Sequence, residues 1–370
     1  MNKTKHRAKI FISTSFVTLL TSWHPPLSAQ ENAACKITNA SNLRGTITFE
    51  PNCTYTQPIV INESNTEINC RGATLDGQHK LKIGIRIDSK GKPLNNVTIK
   101  NCTIINFDSL GILVTSGIPN YKRTEDRQKN YDITPTNVTL SNLNVENSGQ
   151  VGVYLDSYVT NTTLKNSTIL RSKGVGVYLE QSSRDNQITN NIIRENGEWN
   201  GPGSYQREGL AIDSSARNLI EGNEFIRNSA GGIYLYKNCG EMFSKGKSVL
   251  RWQSSNDNTI KNNRFTDEKT GVWVASRQSA KLADCGDPPL DPEGKYYQDY
   301  ADHNTIENNV FCRNKNYIKV EGNYNTIKNN RSDATTKNLV SQPITMKERL
   351  TGVPTTGNQI SNNIYQKCSD

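Results

Sequence analysis

Short runs in which apolar residues alternate with other residues recur along the chain, and each run begins with glycine. One reads Gly152-Val-Tyr-Leu-Asp156, and the next reads Gly176-Val-Tyr-Leu-Glu180. A period of two residues predicts a β-strand, because successive side chains of a strand point to opposite faces. Further runs of this form are Gly84–Asp88, Gly111–Thr115, Gly209–Asp213, Gly232–Tyr236 and Gly271–Ala275.

A short phrase with asparagine at both ends and an apolar residue or threonine at its third position repeats in register with these runs. Its tightest steps run from Asn304 to Asn325 and from Asn137 to Asn161. Asparagine suits turns because it tolerates left-handed backbone geometry. Repeats at such close spacing that hold short strands predict an all-β, single-domain parallel β-helix, in which each coil pairs with the next. The phrases occupy residues 96–101, 137–142, 161–166, 186–191, 218–223, 258–263, 304–309, 325–330 and 358–363.

The N-terminal segment, residues 1–29, differs in composition from the rest. Four basic residues, the last of them Lys9, precede an apolar run from Ile10 to Trp23, and small residues before Gln30 offer a cleavage site. This is the pattern of a secretory signal peptide, and the run is too short to span a bilayer. We predict a signal peptide at residues 1–29 and a β-helix domain with an N-terminal cap at residues 30–370. The mature chain is expected to be a secreted or periplasmic monomer with no membrane insertion.

Removing that segment lowers the formal net charge from +9 to +5, since it holds four of the 44 basic residues and none of the 35 acidic ones. A mildly basic chain suits a polyanionic partner, although a solvated surface with a slight excess of lysine explains the charge equally well. A nucleic-acid partner is not expected, because the chain has no basic run, no nucleic-acid-binding motif and an export signal.

All eight cysteines follow the predicted signal peptide. An even number of cysteines in an exported chain predicts disulfides. A bridge between Cys35 and Cys53 could close the N-terminal cap, and one between Cys239 and Cys285 could tie two insertions together. Spacing does not decide between these pairings and other connectivities.

Stacking the coils should align the third and fifth residues of the glycine-led runs into two columns on one sheet face. Both positions are expected to face solvent, because the second and fourth residues are buried. The fifth-residue column would bring together Asp156, Glu180 and Asp213 at coil spacing, where like charges repel. The aromatic residues of the third-residue column are Tyr154, Tyr178, Tyr234 and Trp273.

Carboxylates beside aromatic rings predict a sugar-binding groove. Aromatic faces stack on pyranose rings, while carboxylates bind hydroxyl groups, hold a cation or transfer protons. In this interpretation Asp156, Glu180 and Asp213 could bind Ca²⁺. The alternative is that the acidic residues are solvated singly and form no site.

Three insertions at residues 195–208, 238–256 and 277–302 lengthen neighbouring coils and should wall this groove. Arg207 and Glu208, at the end of the first insertion, are candidates for substrate binding. Lys237 and Arg277 lie just beyond predicted strands and are candidates for a catalytic base or for binding a carboxylate. Tyr236, directly before Lys237, is a candidate acid or base.

The segments Gly45–Tyr55 and Cys70-Arg-Gly-Ala-Thr-Leu-Asp-Gly77, together with the asparagine phrases, resemble the pectate-lyase-like right-handed parallel β-helix proteins. These proteins include polysaccharide lyases, mannuronan C5-epimerases, polygalacturonase-type hydrolases and periplasmic copper-enzyme maturation factors. The resemblance implies the right-handed fold. The Asp-Pro-His-Asp motif of the epimerases is absent, so no catalytic residue is carried across.

These observations predict a secreted lyase that cleaves an acidic polysaccharide by β-elimination. That reaction needs a neutralised uronate carboxylate, a base and a proton donor for the leaving oxygen. The alternatives are a glycoside hydrolase or uronate C5-epimerase in the same groove, and a non-catalytic polysaccharide-binding protein. The predicted catalytic residues are Glu180, Asp213, Tyr236, Lys237 and Arg277, and the predicted substrate-binding residues are Tyr154, Asp156, Tyr178, Arg207, Glu208, Tyr234 and Trp273.

Overall fold

A computed structural model describes residues 35–199, 204–238, 243–246, 249–282, 285–333 and 339–368. The predicted signal peptide lies outside these residues. The described part of the chain contains three large parallel sheets, one two-stranded hairpin and two short α-helices. None of its helices is long and apolar enough to span a membrane.

Within each sheet, every strand pairs with the strand named next to it. Sheet 1 contains β1 (Thr46–Thr48), β4 (Thr66–Asn69), β7 (Asn95–Lys100), β10 (Thr136–Ser141), β13 (Thr163–Lys165), β16 (Gln187–Thr189), β21 (Leu219–Glu221), β24 (Thr259–Lys261), β27 (Thr305–Glu307), β30 (Thr326–Lys328) and β33 (Gln359–Ser361). Sheet 2 contains β2 (Thr54–Tyr55), β5 (Thr74–Asp76), β8 (Thr103–Ile105), β11 (Asn144–Glu146), β14 (Thr168–Leu170), β17 (Ile192–Arg194), β22 (Glu224–Ile226), β25 (Arg264–Thr266), β28 (Val310–Cys312), β31 (Arg331–Ser332) and β34 (Ile364–Tyr365). Sheet 3 contains β3 (Ile59–Ile61), β6 (Ile83–Asp88), β9 (Leu110–Thr115), β12 (Val151–Leu155), β15 (Val177–Leu179), β20 (Glu208–Asp213), β23 (Gly231–Tyr236), β26 (Thr270–Val274), β29 (Asn316–Val320) and β32 (Val340–Ser341). The hairpin pairs β18 (Glu198–Trp199) with β19 (Tyr205–Gln206), and the helices are α1 (Arg127–Asp132) and α2 (Met346–Thr351).

Each coil passes through sheet 1, sheet 2 and sheet 3 in turn, so every strand of these sheets pairs with the equivalent strand of the next coil. The predicted all-β parallel β-helix is therefore confirmed. Inward side chains stack along the axis, and Phe225, Phe265 and Phe311 lie face to face with ring centroids 5.0 and 4.7 Å apart. Three such apolar faces close around one continuous core.

The recurring Asn-Asn pairs place two asparagines in different roles. Asn262 is exposed at a turn with φ of 56°, whereas Asn263 points inward and is buried. The Asn263 Oδ1 accepts hydrogen bonds from the backbone N–H of Asn223 at 2.9 Å and from its Nδ2 at 3.0 Å. Repetition of these bonds produces two buried amide ladders, which join Asn186, Asn218, Asn258, Asn304, Asn325 and Asn358 at one corner and Asn191, Asn223, Asn263, Asn309, Asn330 and Asn363 at another.

The early phrases are offset by one position from the later ones. Thr163 pairs with Gln187, so Asn161 is level with Asp185, and the Thr162 N–H donates to the Oδ1 of Asn186. The phrase that begins at Asn161 is therefore out of step with the phrase that begins at Asn186. The physical reason is that the left-handed turn residue and the inward residue are adjacent, and either can be asparagine.

A third ladder, at the corner between sheets 2 and 3, is interrupted by a carboxyl group. Asn196 is joined to Asn228, but the next position is Glu268, whose Oε1 accepts from the Asn228 Nδ2 at 2.8 Å. The Glu268 N–H donates to Asn314 Oδ1 at 2.7 Å, so the ladder continues beyond it. The Glu268 Oε2 is buried and has no hydrogen-bond partner among the residues that the structure describes.

Three disulfides join cysteines within the described residues. The predicted Cys35–Cys53 bridge is present, and Cys70–Cys102 and Cys312–Cys368 accompany it. Cys285 is also disulfide-bonded, whereas its predicted partner Cys239 lies outside the described residues. Such bridges persist in oxidising compartments.

Candidate functional site

The third-residue column of sheet 3 has the predicted register. Tyr154 pairs with Tyr178, Tyr178 with Ala211, Ala211 with Tyr234, and Tyr234 with Trp273. The four aromatic rings are half-buried and contact one another in two edge-to-face pairs, with centroids 5.3 Å apart for Tyr154 and Tyr178 and 5.2 Å apart for Tyr234 and Trp273. These rings, named the aromatic column, form a partly exposed apolar surface along the solenoid.

Two of the three acidic residues of the fifth-residue column do not face solvent, which corrects the predicted exposure, and Asp156 is half-buried. Glu180 is 8% exposed and Asp213 is fully buried. The Arg251 Nη1 lies 2.7 Å from Glu180 Oε1 and 2.8 Å from Asp213 Oδ1. Each carboxyl also accepts a hydrogen bond from the preceding coil, because Tyr154 donates to Glu180 at 2.6 Å and Tyr178 donates to Asp213 at 2.7 Å. Both carboxyl groups are therefore bound to groups of the protein itself.

The three predicted calcium ligands form hydrogen bonds or ion pairs with groups of the protein. Arg251 occupies the position between Glu180 and Asp213 that a cation would need. Asp156 accepts hydrogen bonds from the Thr115 hydroxyl and from the Ser157 N–H. Within the described residues, no cluster of three or more His, Cys, Asp or Glu side chains could hold a metal ion.

Residues 249–256, named the strap, bring Arg251 to this position. Gln253 donates to the carbonyl oxygens of Ser183 and Ser214, both at 2.9 Å, and Trp252 donates to the Tyr158 hydroxyl at 3.2 Å. The strap, which is the described end of the predicted insertion 238–256, therefore packs over the strand ends.

Tyr236 and Lys237, two of the predicted catalytic residues, are also buried. Tyr236 is fully buried, and its hydroxyl donates to Glu208 Oε1 at 2.9 Å. Burial, and then the Glu208 carboxyl, raise the pKa of Tyr236 well above 10. The Lys237 Nζ lies 2.6 Å from Asp287 Oδ2 in the third insertion. The Lys237 ammonium is thus held in an ion pair with Asp287.

Two arginines lie against Tyr236 and remain half-buried. The Arg207 Nη2 donates to the Tyr236 hydroxyl at 3.4 Å, and the Arg277 guanidinium lies 4.6 Å from the centroid of its ring. Buried Asp299 positions Arg277 by accepting its backbone N–H at 2.7 Å. Among the described residues, the Arg277 guanidinium has no hydrogen-bond acceptor, and its Nε is buried without a partner. We name Arg207 and Arg277 the arginine pair.

The arginine pair stays positively charged. Burial alone would lower the pKa of each guanidinium, but Glu208 and Tyr236 raise the pKa of both above the usual value. A guanidinium that keeps its proton is a poor general base and a good partner for a carboxylate. Of the two roles predicted for Arg277, carboxylate binding suits a guanidinium that keeps its proton better than the role of a base does.

The sequence interpretation missed one insertion and one central residue. Residues 117–134, between β9 and β10, contain α1 and the buried Arg123, which donates to the Ser157 carbonyl at 3.2 Å. The unusually long step between the phrases that begin at Asn96 and Asn137 is a signal that could have revealed this insertion. No signal in the sequence distinguishes Arg251 from other cations of its insertion.

The three sheets and their pairing define a right-handed parallel β-helix protein. Residues 59–249, more than half of the chain, match the family model described as "Right handed beta helix region", and the chain belongs to this family. Residues 199–346 match a second model, "Periplasmic copper-binding protein (NosD)". No curated protein sequence matches the chain.

Solved structures show the same fold at low identity. The A-module of the mannuronan C-5 epimerase AlgE4 from Azotobacter vinelandii has a TM-score of 0.54 and 12% identity, with 88% of this chain and 89% of that one covered. A double mutant of the tailspike protein of E. coli bacteriophage HK620 has a TM-score of 0.50 and 14% identity, and the match covers 88% of this chain but 60% of the tailspike. Pectate lyase Pel9A has a TM-score of 0.47 and 13% identity, over 88% and 69% of the two chains. The matches to the epimerase module and the tailspike establish a shared fold.

Proposed function

We propose that the chain binds and acts on an acidic polysaccharide along the outward face of sheet 3. The observation that carries the proposal is the arginine pair beside the aromatic column. Aromatic rings offer apolar faces to sugar rings, and a guanidinium recognises a carboxylate through paired hydrogen bonds. From Tyr154 to Trp273 the column crosses four coil steps, roughly 19 Å at 4.8 Å per step, which suits a polymer.

Among reactions on such a polymer, β-elimination fits these groups better than hydrolysis. A glycosidase uses two accessible carboxyl groups, and Glu180 and Asp213 are both buried and bound. Elimination first requires that the uronate carboxylate be neutralised, which the arginine pair would do. Tyr178 would be a proton donor rather than a base, because burial and Asp213 raise its pKa well above 10. We therefore propose lyase chemistry, in which the base that takes the proton alpha to the carboxylate comes from outside the aromatic column and the arginine pair. An epimerase would share this first step.

Binding without turnover is the second candidate function. It is favoured by the observation that the carboxyl groups placed on this face already accept hydrogen bonds and that the tyrosines retain their protons. A free general base is therefore not among the groups placed along the aromatic column. The disulfides and the match to a periplasmic family support a periplasmic or secreted location for either function.

Affinity measurements on the full chain test the proposal. Calorimetry with polygalacturonate and alginate oligosaccharides, and with their carboxyl-reduced forms, should show binding of the acidic forms only. Arg277→Gln should weaken binding about tenfold, the cost of one charge-assisted contact. Arg227→Gln is the matched control, because Arg227 is exposed at the corner beyond sheet 2. Equal binding of the reduced sugars, or an unchanged affinity of Arg277→Gln, would contradict the proposal.

Product analysis then separates the reactions. Unsaturated, ultraviolet-absorbing ends identify a lyase, new reducing ends without absorbance identify a hydrolase, and altered uronate at constant chain length identifies an epimerase. A chelator is expected to leave binding unchanged, because the predicted calcium ligands are already bound to Arg251, Thr115 and Ser157.

A further inference from the structure

We propose a second carbohydrate site, separate from the aromatic column, that binds the carboxylate of an acidic sugar through Arg184. A cavity of about 620 Å³ lies at the corner between sheets 3 and 1, between α1 and the turns that lead into β7, β10 and β13. This volume is within the range of ligand sites, roughly 300 to 1,000 Å³. None of the residues of the aromatic column or the arginine pair lines it.

Arg184 is a fixed cation whose hydrogen-bond donors meet no acceptor in the described part of the chain. Its guanidinium lies 3.9 Å from the centroid of the Tyr131 ring, and its side chain is 27% exposed. The Tyr131 hydroxyl donates to the Ser182 carbonyl at 2.8 Å, which holds the ring in place. Among the described residues, the Arg184 guanidinium has no hydrogen-bond acceptor, and its Nε is buried without one.

The neighbouring carboxylate does not satisfy Arg184. The Asp185 Oδ2 lies 3.7 Å from the Arg184 Nε. Both Asp185 oxygens are taken by Arg217, whose Nε and Nη2 donate at 2.8 and 2.7 Å. A planar guanidinium with free N–H groups at a cavity wall is suited to bind the two oxygens of a carboxylate.

The rest of the lining fits a sugar better than a dense inorganic anion. Thr136 and Thr160 present hydroxyl groups 3.0 Å apart, and Pro93 and Leu94 supply apolar surface. Asp132 also lines the cavity and accepts from Gln128 through Oδ1. Its negative charge repels a doubly charged phosphate or sulfate more strongly than a singly charged carboxylate, and the hydroxyl groups of a sugar can donate to it. The ligand class that combines one carboxylate with several hydroxyl groups is a uronic acid.

Saturation-transfer NMR on the full chain tests this site with sodium glucuronate, its methyl ester, glucose and sodium acetate. All measurements use the Arg277→Gln variant as the background, because this variant reduces the contribution of the aromatic column to the saturation-transfer signal. In that background we expect a glucuronate signal that Arg184→Gln weakens about tenfold. Gln128→Trp, on exposed α1, should abolish the signal by filling the cavity without removing a buried group.

Several outcomes would overturn the inference. Absence of the signal in the Arg277→Gln background would leave the aromatic column as a site and eliminate the second one. An equal signal from the methyl ester or glucose would remove the role of the carboxylate, and an equal effect of acetate would show a carboxylate site with no sugar specificity. Conversely, an Arg184-dependent signal with no effect of Arg277→Gln on polymer binding would support this site and refute the proposed function.

Discussion

Two buried polar columns run along this solenoid, and they are satisfied in different ways. In the ladder through Asn223 and Asn263, each amide bonds to the next, because a neutral amide contains both donors and an acceptor. Glu180 and Asp213 stack at the same spacing on the outward face of sheet 3, beneath the strap. Ionised carboxyl groups only accept hydrogen bonds, so they cannot bond to one another. They depend on Arg251, which arrives from the strap. Repetition alone stabilises the first column, and the second needs a partner distant in sequence.

The largest effect is expected from removing that partner. Arg251→Met should lower the free energy of unfolding by about 3–5 kcal/mol, because two buried carboxyl groups lose their counter-charge. Denaturant titration measures the change. Arg217→Met, which removes an exposed ion pair with Asp185, is the matched control and should cost at most about 1 kcal/mol.

A rescue experiment distinguishes charge from packing. Adding Glu180→Gln and Asp213→Asn to Arg251→Met removes the uncompensated charges and should recover much of the lost stability. If the triple variant is no more stable than Arg251→Met, the strap stabilises the fold through its contacts, and the contrast between the two columns is wrong.

A smaller effect is expected from breaking an amide ladder. Asn263→Ala removes the acceptor of two Asn223 bonds and the donors to Ile220 and Asn309, and should cost about 2–3 kcal/mol. The adjacent Asn262→Gly is the matched control. Glycine accepts the positive φ of Asn262, so this variant should change stability by only a few tenths of a kcal/mol. Similar losses for both variants would count against the ladder.

Glu268 combines the two columns, since it is a carboxyl group within an amide ladder. Burial raises its pKa from 4.5 to about 8, and the hydrogen bonds from Asn228 oppose this shift. The nearby charged groups are Asp267, which raises the pKa, and Arg227, which lowers it. The folded state therefore retains a proton that the unfolded state loses above pH 4.5.

The effect of Glu268 at pH 5 is the smallest of the three, below about 1 kcal/mol. The contribution of Glu268 to the free energy of unfolding is fully present below pH 4.5. As the pH rises from there to about pH 8, this contribution should fall by about 1.4 kcal/mol per pH unit. Glu268→Gln should remove this slope, because a neutral amide stays neutral and can donate from the position of the unpaired Oε2. Unfolding titrations of both proteins from pH 4 to pH 9 measure it, and parallel pH profiles would refute the assignment.

The fold was predictable because it is local and repeated. The glycine-led runs gave the correct strand register of sheet 3, since burial of alternate residues fixes which side chain lies above which. The asparagine phrases predict the coil length correctly. They also predict that Asn161 and Asn186 occupy equivalent positions in their coils, whereas in the structure Thr162 is level with Asn186. A turn residue and its inward neighbour carry the same side chain in later coils, so sequence spacing alone does not separate them.

The site was only partly predictable. The sequence correctly predicts that Tyr178 and Asp213 lie on one face of sheet 3. It also predicts that Asp213 is exposed to solvent, which is wrong. Its burial depends on Arg251, which follows in a later insertion with no repeat to fix its path. The arginine pair was named among the candidates, but its proximity to one tyrosine follows from how the insertions fold back.

The disulfides near the two ends of the described chain affect its resistance to proteolysis. In a solenoid each coil contacts only its neighbours, so local unfolding starts at the terminal coils. Cys35–Cys53 fastens the first coil, and Cys312–Cys368 returns the tail beyond β34 to β28, two strands away in sheet 2. Reduction of these two disulfides would let both ends of the solenoid unfold while the central coils remain folded. The redox conditions around the protein would therefore determine how quickly proteases cleave it.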